Sequence, residues 1–119
     1  MKAVILDEHG STDGFKVTEI PPPTALPGNV VLKVCASSVN PVDCKIRSGM
    51  LAGIGPSLPG VLHGDVAGII SEVGEGVEAF EVGDEVYGCV GGFKGTPGVL
   101  AEYALADARL LSTKPSSLS

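Results

Sequence analysis

The chain has 119 residues, a net charge of −6 and a pI of about 4.7, which allows one domain and disfavours nucleic acid or an anionic membrane surface as partners. Although 44% of its residues are apolar, no run approaches the ~18 consecutive apolar residues of a membrane span. Seventeen glycines, about twice the usual share, and nine prolines leave only Asn29–Asn40 and Val99–Lys114 longer than ten residues without either. Strands and turns should therefore dominate over helix.

Lys2–Asp7 is a β-rich apolar run, closed by the turn-prone Glu8-His9-Gly10-Ser11. Phe15–Ile20 alternates strictly, as a half-buried strand does, and Pro21-Pro22-Pro23 stops it because proline cannot donate to a ladder. After the turn Pro27-Gly28-Asn29, Val30–Ala36 is a β-branched strand. Asn40-Pro41-Val42-Asp43 reads as a helix start, with Asn40 the N-cap and Pro41 the first helical residue, and the helix runs to Arg47. Gly53–Gly60 is a loop. Val66–Val73 is a strand in which Gly68 marks a close backbone approach, Glu85–Val90 is another strand, and Gly91–Gly98 is a flexible loop. Val99–Lys114 has two readings: a helix by propensity, or a strand at Leu100–Leu105, a turn at Ala106-Asp107-Ala108 and a strand at Arg109–Ser112.

Three motifs bear on chemistry. Gly74-Glu75-Gly76-Val77-Glu78-Ala79 matches the dinucleotide fingerprint formally, but Gly83-Asp84 breaks the chain before a phosphate-binding helix can form, so it reads as a turn. His63 lies near Asp65, yet Cys35, Cys44 and Cys89 contain no Cys-x-x-Cys pair. The cysteines read as buried small hydrophobes of a reduced, cytoplasmic protein, and His63 as solvated or hydrogen-bonded rather than ligating. Asp43, Lys45 and Arg47 share the short helix, where Asp43 and Arg47 can pair or simply face water.

Several blocks in order then carry a resemblance. They are Ser38-Val39-Asn40-Pro41-Val42-Asp43 with Ile46-Arg47-Ser48-Gly49, and Gly64-Asp65-Val66-Ala67-Gly68 continuing through Glu72-Val73-Gly74-Glu75-Gly76-Val77. Phe80-x-x-Gly83-Asp84-x-Val86-Tyr87-Gly88 and Ala101-Glu102-Tyr103 complete the set. Together they resemble the GroES-like domain of medium-chain dehydrogenases and reductases, especially the zinc-free, zeta-crystallin-like quinone oxidoreductases.

The resemblance implies a mainly β fold over residues 1–119, a partly open β-barrel with short helices, and it favours strand, turn and strand for Val99–Lys114. It further implies that the Rossmann domain binding the cofactor lies outside this chain, which alone would be inactive. The zinc-dependent relatives place a Cys ligand where Asn40 stands and a His ligand where Gly64 stands, and His63 is one residue out of register. No metal site is therefore expected. The implied reaction is hydride transfer from NADPH to a quinone or an α,β-unsaturated carbonyl, in a cytoplasmic protein for which a homodimer is one allowed assembly. Asn40 and Lys45 are the expected donors toward the oxygen that gains charge and toward the cofactor, and Asp43 orients its neighbours. A stand-alone binding or scaffold module and a zinc-type alcohol dehydrogenase domain are the alternatives.

Overall fold

The structure, a computed structural model, describes residues 1–119. Its strands are β1 (Lys2–Leu6), β2 (Phe15–Glu19), β3 (Asn29–Ser37), β4 (Gly60–Val61), β5 (Asp65–Val73), β6 (Glu85–Cys89), β7 (Tyr103–Asp107) and β8 (Leu111–Thr113). The one α-helix, α1, spans Pro41–Ser48. All pairings are antiparallel and form two sheets, ordered β2-β1-β4 and β7-β3-β5-β6-β8. Neither sheet closes on itself. This is the mainly β, open architecture expected from the spacing of glycine and proline and from the resemblance.

Period-two alternation decides what β5, β6 and β7 bury. Along β5, Val66, Gly68 and Ile70 point into the core; along β6, Val86 does. They join Val30, Leu32, Val90, Val99, Ala104, Ala106 and Leu111 in the main core. Each such Val, Leu or Ile side chain contributes about 1.5–3 kcal/mol by leaving water. Gly68 faces Val34 across the ladder, beside a β-bulge at Cys35. A Cβ at Gly68 would lie 2.4 Å from the Lys33 carbonyl oxygen, so the expected close approach is real.

The last stretch departs in detail from both readings. Leu100–Glu102 does not extend β7. Instead Val4 N–H donates to Leu100 O at 3.0 Å, Glu102 N–H to Lys2 O at 3.0 Å, and Leu100 N–H to Leu62 O at 3.2 Å. This segment stitches the small sheet to the large one before Tyr103 turns onto β3. The following turn falls two residues later than expected, because Asp107 Oδ1 accepts from Arg109 N–H at 2.9 Å and opens a 3-10 turn over Ala108–Leu110. The Gly91–Gly98 loop, expected to be flexible, is tied to its surroundings: Lys94 N–H donates to Ile54 O at 2.8 Å and Gly98 N–H to Val61 O at 2.9 Å.

Candidate functional site

Asn40 caps α1 as anticipated, with an extended backbone (φ −117°, ψ 160°) before Pro41 and with Gly49 ending the helix in the left-handed region at φ 96°. The helix face is not simply solvated, however. Asp43 is only 6% exposed, because its carboxylate folds back to accept the Asn40 backbone N–H at 2.8 Å. Asp43 N–H in turn donates to Asn40 O at 2.9 Å. The Asp43–Arg47 pair therefore does not form, and the Arg47 guanidinium donates to Gly10 O instead. Lys45 is exposed and makes no ion pair.

The Asn40 side chain is not spent on the helix. Its Nδ2 donates to Asp65 Oδ2 at 2.7 Å, and Ser38 Oγ donates to the same oxygen at 3.1 Å. Asp65 opens β5 and sits directly opposite Cys89 on β6, so the pleat turns both side chains away from the core and against each other. The Asn40 hydrogen bond is the main reason the Asp65 carboxyl titrates below its ordinary range; partial burial opposes that, and Ser38 and Cys89 add to it. Partial burial pushes the Cys89 thiol up, reinforced by Asp65 and then by the Asp43 charge. Ala36, Ser37, Ser38, Asp65, Val66 and Cys89 help line a cleft of about 470 Å³ on this outer face.

The cysteines are a correction. All three are free and exposed. Cys35 lies at the bulge on β3, Cys44 on the water-facing side of α1, and Cys89 alternates outward from Val86 and Val90. His63 is buried at 7% exposure, with Nδ1 3.4 Å from Ser37 Oγ, so it is hydrogen-bonded rather than solvated.

Neither a zinc ion nor a dinucleotide phosphate fits the residues present. A Cβ at Gly64 would lie 2.7 Å from Gly91 O and 3.1 Å from Cys89 Sγ, so no imidazole could stand there without displacing β6 and the loop after it. Asn40 offers an amide where zinc wants a thiolate, and no three His, Cys, Asp or Glu side chains converge as ligands. In the Gly74–Ala79 turn, Gly74 N–H donates to Asn29 O at 2.8 Å and Val77 N–H to Gly74 O at 3.3 Å. No helix follows it, so nothing there cradles a phosphate.

Of the residues singled out in the sequence, the structure sets Asn40 against Asp65 and Asp43 against the Asn40 backbone, whereas Lys45 stands exposed on α1. Asp65, Ser38 and Cys89 were not singled out as part of that group. Alternation around Val66, Gly68 and Ile70 could have shown that Asp65 faces outward, but not what it faces.

Known proteins are similar to this chain in sequence and fold over part of their length. The alcohol dehydrogenase GroES-like domain matches residues 26–116. The chain is 37% identical over 123 residues to an NADPH-dependent alkenal/one oxidoreductase of Arabidopsis thaliana, covering 99% of this chain and 32% of that protein. It is also 37% identical over 125 residues to a 2-methylene-furan-3-one reductase of Solanum lycopersicum, covering 100% and 32%. An alcohol dehydrogenase superfamily protein from Novosphingobium aromaticivorans superposes with a TM-score of 0.92 at 39% identity, covering all of this chain and 36% of that one. The chain thus spans about a third of the length of the curated relatives it matches. It belongs to the alcohol dehydrogenase GroES-like domain family of the medium-chain dehydrogenases and reductases, on the quinone-oxidoreductase-like branch that lacks the zinc ligand set.

Proposed function

We propose that this domain forms the substrate-side wall of an NADPH-linked, zinc-independent reductase of α,β-unsaturated carbonyls or quinones. The observation that carries the reading is the Asn40 amide, held at 2.7 Å by Asp65 beside a cleft lined in part by the small apolar Ala36 and Ala67. The names of the relatives support the acceptor class, since an alkenal/one oxidoreductase and a methylene-furanone reductase both act on conjugated carbonyls. Nicotinamide, when bound, supplies the hydride, and a dinucleotide-binding domain other than this one holds its phosphates.

As hydride reaches an enone, negative charge gathers on the carbonyl oxygen, and without a Lewis acid that oxygen needs hydrogen-bond donors. Asn40 Nδ2 carries two hydrogens, and Asp65 takes one of them. The second is the donor offered to the substrate oxygen, and the Lys45 ammonium, exposed on the same helix, is the mobile second donor toward substrate and cofactor. Asp43 does no proton transfer; it fixes the backbone of Asn40 by closing the first turn of α1. A reducing, cytoplasmic setting suits three free thiols.

The test is enone and quinone reduction by this domain joined to its nicotinamide-binding partner domain. Asn40→Ala should lower kcat about a hundredfold to a thousandfold, or ~2.7–4 kcal/mol of transition-state stabilisation, while leaving NADPH affinity unchanged. Chelators should have no effect. Unchanged turnover in Asn40→Ala, or loss of activity to a chelator with recovery on adding zinc, would sink the reading.

A further inference from the structure

The geometry points to Asp65 as the positioning residue of this site, the group that decides which way the Asn40 amide faces. This inference rests on the donor role proposed for Asn40. A planar amide has two faces of opposite chemistry, a carbonyl oxygen that accepts and an NH₂ that donates. An unconstrained asparagine beside a cleft can present either. An ionised carboxylate only accepts, so it can hold the amide in just one of the two orientations, with the nitrogen toward Asp65.

The contact is charge-assisted and short at 2.7 Å, where ~2.7–2.9 Å is usual for such bonds. Asp65 itself is held still. It sits at the start of β5 in register with Cys89 on β6, and Ser38 Oγ donates to the same Oδ2 at 3.1 Å. The amide thus hangs from the wall of the large sheet although its backbone belongs to the N-terminus of α1. A carboxylate so near a developing oxyanion would oppose it. Sharing Asp65's charge among Asn40, Ser38 and Cys89 moderates that opposition.

Cys89 on β6 faces Asp65, Asp43 on α1 lies near enough to bear on Cys89, and His63 stands behind Ser37. The Asp43 carboxylate already accepts the Asn40 backbone N–H at 2.8 Å, so Asp65 is the acceptor that holds the Asn40 amide nitrogen. Replacing Asp65 by its isosteric amide would let the two side chains pair in either orientation.

The experiment is heteronuclear NMR of the Asn40 side-chain amide in this chain. One Nδ2 proton should resonate well downfield of its geminal partner. As the pH falls, that displacement should persist until the Asp65 carboxyl protonates below the ordinary carboxylate range, and then collapse. In Asp65→Asn, with backbone resonances showing an intact fold, the displacement should be absent. The acid titration of the unaltered chain gives the same reading without any substitution. In the protein joined to its nicotinamide-binding domain, Asp65→Asn should lower kcat about tenfold to a hundredfold, as a misaimed group does, with KM little changed. Adding it to Asn40→Ala should cost almost nothing more. An Asn40 amide signal that ignores both the substitution and the titration overturns the positioning role, whatever turnover does. A signal that responds as described, with full turnover in Asn40→Ala, upholds the positioning and overturns the donor role instead.

Discussion

Ten buried residues hold the five-stranded sheet together, whereas three, Leu6, Ile46 and Leu62, hold α1 against the smaller sheet. The site straddles the two: Asp65 and Cys89 stand on the well-packed wall, and Asn40 on the lightly packed helix. Regions with few buried apolar contacts open at lower free energy than the core. The domain therefore pairs a rigid anchor with a more yielding donor, and the Asp65–Asn40 hydrogen bond is what couples them.

Truncation separates the two regions. Leu32→Ala, at a fully buried position of the main core, should cost about 2–5 kcal/mol of global stability, read as a lower denaturant midpoint with an unchanged slope. Ile46→Ala, in the three-residue cluster, should fall near the low end of that range, because a thin lobe collapses around a cavity more easily. Its loss should concentrate in α1, seen as faster amide exchange from Asp43 to Gly49 while β3 and β5 stay protected. Equal loss of protection in both regions would show that the helix and the large sheet unfold as one unit.

The smallest effect belongs to Asp107, which ends β7 and is partly exposed, and Arg109, exposed in the 3-10 turn that follows. Arg109 holds the Asp107 carboxyl down at about 2, chiefly through its side-chain hydrogen bonds and next through its backbone N–H. The folded value is depressed, so the pair's contribution is complete above the unfolded aspartate value of ~3.9 and disappears as pH falls through about 2. Arg109→Ala should raise that midpoint by carboxyl NMR titration, though not fully to the ordinary value, since the backbone bond remains. Stability near neutral pH should barely change, because water and salt screen exposed pairs.

Much of this was legible from local rules. The Asn40-Pro41 helix start and the strand-and-turn content implied by glycine and proline are each set by backbone sterics within a few residues. The alternation read at Phe15–Ile20 located the strand Phe15–Glu19 but not its buried face, since Val17 is 70% exposed. The turn nature of Gly74–Ala79 was equally readable, since the break at Gly83-Asp84 lies close by in the chain. Asp43 was readable only in part: its spacing from Arg47 allowed a pair, but the nearer Asn40 N–H took the carboxylate.

Register and crossings between sheets were not local. Leu100–Glu102 has strand character, yet only the simultaneous presence of β1 and Leu62 decided that it would pair there before joining β3. Cysteine composition likewise suggested burial, and the pleat of β6 and the bulge at Cys35 put the thiols outside. By itself the sequence determined a mainly β domain and a short helix, capped by Asn40, that carries Asp43 and Lys45. Only the tertiary structure placed Asp65 against Asn40, twenty-five residues away, because antiparallel pairing of β5 with both β3 and β6 sets which outward-facing side chains meet.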